Sequence, residues 1–441
     1  MTVPTYNLWT IGCQMNEADA LRAAAALEFA GFRPVPRARD AGLLLLATCV
    51  VRQQAEDKIY SRLAYIAELK GKNPDLVVAL MGCLVGKNPR ELSALRERFP
   101  FVDLFLPPSD LAPLTAFLQD RGFAAPLPAA GSALDDLPPP PLPDSMTGRS
   151  IVAHLPVVLG CSHACTYCVI PYRRGGERSR PSAEILAEAA ALAARGVREL
   201  ILLGQIVDRY GRDRPGEIHL PELLRRIAQT PGIARVRFLT SHPRWITDEL
   251  VAAVATTPGL CPYFEIPVQA GSDAILAAMR RGYTAAEYEA LIAKIRAAIP
   301  DAGLSTDIIV GFPGETDAQF EDSMALMRRI DPDMIRIAKY SPRPLTYSAR
   351  HLPDDVPEAE KERRRIAMEA QLRRRLTEKN APLLGQTVEI LVESIEKTGR
   401  RHGRTPGYKP VFVDASDAAP GDLLRARIVW AGPFSLIAEA R

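Results

Sequence analysis

Leu155-Pro-Val-Val-Leu159-Gly-Cys161-Ser-His-Ala-Cys165-Thr-Tyr-Cys168 joins a short apolar run to three thiols at C-x3-C-x2-C spacing. The run reads as a buried strand and the thiols as the loop that leaves it. A 4Fe-4S cluster is ordinarily held by four cysteine thiolates, so a three-cysteine loop leaves one iron open to a ligand that is not protein. An open iron points to catalysis rather than electron storage. Zinc is the other chemistry open to these residues, with His163, inside the triplet, as the fourth ligand. The second paired half of a zinc-ribbon pattern is missing, which favours the cluster.

That strand is the first of six between Ile151 and about Arg350, with the others near Leu200, Val236, Tyr263, Leu304 and Met334, each followed by a helical pattern. Six strand-helix units predict an incomplete parallel (β/α)6 barrel, whose active site gathers at the C-terminal ends of its strands. Several polar segments fall at those ends. Arg173-Arg-Gly-Gly-Glu177 with Ser179 and Arg180 lies just beyond the cysteine loop. Leu203-Gly-Gln205, Thr240-Ser-His-Pro243, Pro267-Val-Gln269-Ala-Gly-Ser272 and Asp307-Ile-Ile-Val-Gly311-Phe-Pro-Gly-Glu315 end strands two to five. Singly these are turns or satisfied polar residues. Their common placement makes them candidates to line one cavity.

Upstream, strands near Tyr6 to Ile11, Gly42 to Ala47, Leu76 to Met81 and Val102 to Leu106 alternate with helices that start near Glu17, Val51, Asn88 and Asp110. This pattern predicts an α/β unit with an open parallel sheet. Cys13, Cys49 and Cys83 each fall one or two residues past a successive strand, although they are 36 and 34 residues apart in sequence. Ligands of open sheets bind at strand carboxyl ends, so the three thiols should converge into a second three-cysteine site. The plainer reading is three buried core cysteines. Cys261 has no partner and reads as core.

Residues 124–150, with Pro138-Pro-Pro-Pro141, read as an extended linker. The expected division is therefore 1–123, the linker, 151–380 ending in an arginine-rich helix from Pro357 to Asn380, and 381–441. Alternating apolar residues in Val388 to Val392, Pro410 to Val413, Arg425 to Trp430 and Ser435 to Ala440 predict a small antiparallel β-barrel for the last unit. The segment Lys397 to Lys409 carries five basic residues, an aromatic and no acid. It is either an RNA-binding surface or a solvated hairpin loop.

At 441 residues, 47% apolar and 24% charged with a net charge of +3, the chain has the composition of a soluble protein of about three domains. No apolar run reaches the ~20 residues of a membrane span, and Met1-Thr-Val-Pro-Thr-Tyr6 lacks the regions of a secretory signal. The expectation is a cytoplasmic protein that does not engage membranes, where seven cysteines serve metal or catalysis rather than disulfides.

Together these segments resemble the radical S-adenosylmethionine methylthiotransferases. The resemblance runs from about Tyr6 to the C-terminus. Gly12-Cys13-Gln14-Met15-Asn16 resembles the tRNA 2-methylthio-N6-isopentenyladenosine synthase branch, as do Arg237 to Pro243, Pro267 to Asp273 and Met279-Arg-Arg-Gly-Tyr-Thr284. The last unit resembles the TRAM domain of RNA-modifying enzymes. The resemblance implies an auxiliary 4Fe-4S cluster on Cys13, Cys49 and Cys83 and a radical-generating 4Fe-4S cluster on Cys161, Cys165 and Cys168, with Tyr167 at the usual aromatic position. It implies S-adenosylmethionine, two per turnover, with Tyr167, Glu177, Arg180, Gln205, Ser241, Gln269, Asp307 and Gly311 as candidate contacts. It further implies tRNA bound through Arg400, Arg401, Arg404 and Lys409, a flavodoxin-like or ferredoxin-like electron donor, a sulfur source, and a monomer. The implied reaction places a methylthio group on carbon 2 of N6-isopentenyladenosine beside the anticodon. Rival substrates are threonylcarbamoyl-adenosine and a ribosomal-protein aspartate, and a rival of another class is a zinc-stabilised RNA-binding protein. Ala47, Ile206, Asp208 and Leu345 depart from the family pattern, which usually has Asn at the first three and Gly at the last.

Overall fold

The computed structural model describes residues 3–51, 53–123, 142–414 and 417–440, so the proline run of the expected linker lies outside the described residues. The N-terminal unit is an open parallel sheet of β1 (Thr5–Thr10), β2 (Arg33–Pro34), β3 (Leu43–Thr48), β4 (Val77–Gly82) and β5 (Leu104–Leu106) in the order β2-β1-β3-β4-β5. Strands β3 and β4 are buried along their whole length, as strands covered on both faces must be. Leu43, Leu45 and Ala47 share one face and one apolar cluster with Val77, Ala79 and Met81. Leu44 and Leu46 share the other with Val78 and Leu80. Helices α1 (Gln14–Phe29) and α4 (Ala112–Asp120) cover the first face, and α2 (Gln53–Lys72) and α3 (Pro89–Arg98) the second. All four expected strands are present. β2, a two-residue edge pairing, escaped the sequence because it is too short to show a pattern.

The central unit has six parallel strands in chain order: β6 (Val152–Pro156), β9 (Glu199–Leu203), β10 (Arg235–Leu239), β11 (Tyr263–Glu265), β12 (Gly303–Val310) and β13 (Met334–Lys339). They form two three-stranded sheets joined by a bridge from Val236 to Leu260. A short ribbon of β7 (Val158–Leu159) and β8 (Arg178–Ser179) closes over the cysteine loop. Helices α5 (Ile170–Arg174), α6 (Ser182–Ala194), α7 (Leu220–Ala228), α8 (Asp248–Thr256), α9 (Asp273–Ala278), α10 (Ala285–Ala298), α11 (Asp317–Ile330) and α12 (Tyr347–His351) follow the strands. Because the barrel is incomplete, its edge strand β6 is open to a neighbour, and α1 packs there. Met15 and Ala18 of α1 join Ile201, Leu203, Leu239 and Tyr263 in one buried cluster. Alanines at 20 and 23–26 keep α1 slim enough to be shared by both units.

Helix α13 (Glu358–Asn380) returns along β13 and leads to the last unit. Its arginines are largely neutralised: Arg364 pairs with Glu315 at 2.8 Å, and Arg365 with Glu362 and Glu369 at 2.7 Å. The last unit is a closed barrel of β14 (Thr387–Ile395), β15 (Arg401–Arg404), β16 (Pro410–Asp414), β17 (Leu423–Ala431) and β18 (Leu436–Ala440), ordered β14-β15-β16-β18-β17. It is antiparallel except between β16 and β18, which run parallel. β15 lies within the basic segment, where no strand was expected. Its sequence Arg-His-Gly-Arg carries no strand pattern, and pairing on both sides makes it a strand.

The turn from Thr405 to Lys409 seats this unit against the N-terminal ends of the barrel strands. Tyr408 lies 4.8 Å from the Tyr263 ring and 4.4 Å under the Arg237 guanidinium. Arg237 also donates to the Pro406 carbonyl at 3.1 Å and pairs with buried Glu199 at 2.5 Å. Gly303 at the start of β12 has to be glycine, since a Cβ there would lie 2.5 Å from the Gly407 carbonyl.

Candidate cluster and cofactor site

Cys13, Cys49 and Cys83 sit at the carboxyl ends of β1, β3 and β4, three adjacent strands. Adjacent strands are ~4.8 Å apart, which brings residues distant in sequence to one edge. Cys13 is the exposed N-cap of α1, and Cys49 and Cys83 are buried. Gly82 takes φ +95°, and a side chain there would meet the Thr48 carbonyl at 2.6 Å, so only glycine lets β4 deliver Cys83 this close to β3. Burial, and then the neighbouring thiols of Cys83 and Cys13, push the Cys49 thiol up to about 12. A metal must displace such protons to bind.

Arg174 reaches into this site from α5, which begins two residues after Cys168. It donates to Asn16 Oδ1 at 2.6 Å, Asp19 at 3.1 Å and Ser109 Oγ at 3.2 Å. Burial disfavours its charge, yet the Cys83 thiol and the Asp19 carboxylate hold its pKa above the ordinary value. Its neighbour Arg173 pairs with Glu91 of α3. The cysteine loop of the barrel is thus tied to the cysteine edge of the N-terminal sheet by five residues of helix.

The second trio lies where β6 and β7 end. Gly160 precedes it with φ +71°, and any Cβ there would overlap the Gly176 carbonyl. Cys161 is buried and its thiol is pushed up to about 11, mainly by burial; Cys168 is pushed up to about 12 by burial and Cys165. Arg281 Nη1 lies 3.3 Å from Cys165 Sγ, with its other nitrogens on the Pro267 carbonyl and the Tyr283 hydroxyl. The His163 Nε2, one of the two ring nitrogens that could serve as a fourth ligand, is engaged elsewhere: it accepts from Trp245 Nε1 at 3.2 Å, and the ring lies 4.8 Å from His242. Burial, with Arg209 next, lowers His163 to about 4. Among the described residues, no three His, Cys, Asp or Glu side chains close around a single-ion position. A cubane does not ask for that, because each thiolate takes its own iron.

The other expected contacts divide. Tyr167 packs against the apolar core of the barrel, and burial pushes its hydroxyl above the ordinary value. Gln205 and Ser241 lie two residues past β9 and β10, and Gln269 four past β11. Asp307, expected at a strand end, lies instead within β12, with Arg336 of β13 3.5 Å from its carboxylate. Ser241 Oγ and His242 Nε2 are buried without a hydrogen-bond partner, which fits a site built for a polar guest. Glu177 is engaged by Arg209 Nε at 2.9 and 2.7 Å, and that guanidinium stacks 4.3 Å over Trp245. Arg180 is instead committed to the Pro156 carbonyl at 2.7 Å and Glu188 at 2.8 Å, in a crevice it shares with Asp19, Arg22 and Ser109 of the N-terminal unit. Gly311 packs under the Lys361 side chain of α13 and donates to Glu315 at 2.5 Å.

The four residues expected to meet RNA all have partners within the protein. Arg400 pairs with Asp414 at 2.6 Å, Arg401 donates to the Ala418 carbonyl at 3.0 Å, and Arg404 pairs with Glu393 at 2.5 Å. Lys409 pairs with Asp333 at 2.7 Å at the foot of β13. Sequence reasoning missed Arg174 and Arg281. Both lay inside motifs already singled out, but nothing in those motifs says which arginine turns inward.

Three family models match the chain: the Radical SAM superfamily over residues 155–327, Uncharacterized protein family UPF0004 over 5–106, and the TRAM domain over 383–440. A relative from Roseiflexus sp. (strain RS-1), tRNA-2-methylthio-N(6)-dimethylallyladenosine synthase, is 46% identical, covering 98% of this chain and 88% of its own. Its namesake from Dehalococcoides mccartyi (strain ATCC BAA-2266 / KCTC 15142 / 195) is 43% identical, covering 99% and 98%. The chain belongs to this synthase family. Among solved structures, the radical S-adenosylmethionine methyltransferase TsrM from Kitasatospora setae superposes with a TM-score of 0.55 at 16% identity, covering 79% of this chain and 77% of that one. The cobalamin-dependent S-adenosylmethionine radical enzyme OxsB gives 0.52 at 11% identity, covering 84% and 56%. These two share the fold with this member of the synthase family.

Proposed function

We propose that the chain is the enzyme that installs a methylthio group at carbon 2 of N6-isopentenyladenosine, the dimethylallyl-bearing nucleoside, beside the anticodon of tRNA. The observation that carries this is the pairing of two three-cysteine edges, one on each parallel sheet, across a single short helix. When bound, a 4Fe-4S cluster on each trio and two molecules of S-adenosylmethionine per turnover would supply the adenosyl radical and the methylated sulfur. The protein's part is to hold and orient.

Cys161, Cys165 and Cys168 would hold the radical cluster, and Cys13, Cys49 and Cys83 the auxiliary one. Tyr167, Gln205, Ser241 and Gln269, with Asp307 from within β12, would be the contacts for S-adenosylmethionine. Arg281 sets a positive charge beside Cys165. Arg174 does the same for Cys83 while fixing the distance between the two edges. α1 and Tyr408 shut the side and floor of the barrel, which keeps water away from a radical. The functional division into 1–123, 151–380 and 381–441 goes with this reading. So do a monomer acting in the cytoplasm, a flavodoxin-like or ferredoxin-like donor and an outside sulfur source.

Nucleoside mass spectrometry of tRNA from a deletion strain tests the substrate. The expected result is loss of 2-methylthio-N6-isopentenyladenosine and accumulation of N6-isopentenyladenosine. An unchanged profile would exclude the proposal.

A further inference from the structure

Tyr347 opens α12 and is 39% exposed. The Arg280 guanidinium lies 4.3 Å from its ring centroid, and the His351 ring 4.6 Å from it. Arg280, Arg350 and His351 are all exposed, and among the described residues none of them is paired with a carboxylate. The contrast with the last unit is sharp, because there the cations expected to meet RNA are engaged within the protein.

The group is wired to the cysteine loop. Ser348 N donates to the Thr166 carbonyl at 2.9 Å, and Thr166 N donates to the Met279 carbonyl at 3.1 Å. Thr166 stands between Cys165 and Cys168, so Tyr347 and Arg280 are each one residue from a hydrogen bond to that loop. The backbone is strained on both sides, with Arg280 at φ +56° and Leu345 at φ +77°. Non-glycine residues in that region cost energy and gather where a side chain must be presented in one place. Thr346, buried between them, caps α12 by accepting from Ala349 N at 3.3 Å.

We propose that Tyr347, flanked by Arg280 and His351, is a stacking platform for an unpaired base of the RNA loop that carries the target adenosine. The inference rests on the RNA substrate proposed above and adds where its loop is gripped. Unpaired RNA bases are recognised by stacking on aromatic rings and guanidinium planes, and a ring with an adjacent free cation offers both. A base held there sets its neighbours at the rim of the cysteine loop.

The test is fluorescence anisotropy with anaerobically reconstituted enzyme and a labelled anticodon stem-loop that contains N6-isopentenyladenosine. Tyr347→Ala should weaken binding about 10-fold, within the range of one lost base stack. The slope of affinity against salt should stay as in the unsubstituted enzyme, since no phosphate contact is removed. Tyr347→Phe should bind as the unsubstituted enzyme does, and iron content should be equal in all three. Unchanged affinity for Tyr347→Ala would overturn the platform while leaving the substrate assignment standing. Equal losses for Ala and Phe would overturn stacking in favour of the hydroxyl. Failure of the unsubstituted enzyme to bind the stem-loop would overturn both proposals.

Discussion

Replacing Arg174 with methionine probes the joint between the two cysteine edges. Methionine fills much of the same space but supplies no donor. Three acceptors lose the hydrogen bond that Arg174 gives them, Asp19 at 3.1 Å, Asn16 Oδ1 at 2.6 Å and Ser109 Oγ at 3.2 Å, while Asp19 keeps the bond from Ser109 Oγ at 2.8 Å. Asp19 is the costly one, since its side chain is 3% exposed and the guanidinium is its ion-pair partner. Stranding a buried charge costs about 3–5 kcal/mol, against about 1 kcal/mol for an ordinary hydrogen bond. Arg174→Met should therefore lower stability by about 4 kcal/mol, read from urea unfolding of chelator-treated protein. Asp19→Asn removes the stranded charge, so the double variant should regain about 2 kcal/mol, a coupling of the size expected for contacting residues. Arg174→Lys should rescue poorly, because an ammonium cannot span three acceptors held by a planar fork. A loss below about 1 kcal/mol for Arg174→Met, or no recovery in the double variant, would refute a buried charge network at this joint.

Asp208 is buried, accepts from His242 N at 3.0 Å, and is raised from 3.8 to about 8, chiefly by burial. Between those values the unfolded carboxyl is ionised while the folded one keeps its proton, so stability should fall as pH rises from about 4 to about 8 and then level off. Asp208→Asn should flatten that slope and be the more stable form at pH 8, by on the order of a few kcal/mol. Parallel stability curves for the two proteins would contradict this. Gly160→Ala, forced against the Gly176 carbonyl at φ +71°, should cost the protein its radical cluster, with reconstituted iron falling by about half; full iron loading would contradict it. Combining Cys13→Ala, Cys49→Ala and Cys83→Ala should leave formation of 5′-deoxyadenosine while abolishing methylthio product. Loss of both with an intact radical cluster would contradict the division of labour.

The placement of the two cysteine trios at strand ends was legible because each trio follows apolar runs long enough to read as strands, and parallel strands gather their ends. The six barrel strands were legible for the same reason. β15 was not, since Arg-His-Gly-Arg has no strand periodicity and is held by pairing from β14 and β16. The ion pair of Lys409 with Asp333 was not legible either, because Asp333 lies 76 residues earlier. Arg174 went unseen for the same kind of reason, its partner Asp19 being 155 residues away. Local pattern finds strands and loops; it does not say which charges meet across units. Asp208 was noted as a departure from Asn, and the structure shows what that departure carries, a carboxyl kept out of water.

Counting iron and sulfide in anaerobically reconstituted protein, with Mössbauer spectra of the same sample, addresses the two-cluster architecture most directly. About eight irons per chain in two 4Fe-4S environments, falling to about four when Cys13, Cys49 and Cys83 are all replaced by alanine, is the expected result. Zinc in place of iron, or a full iron count in the triple variant, would contradict it.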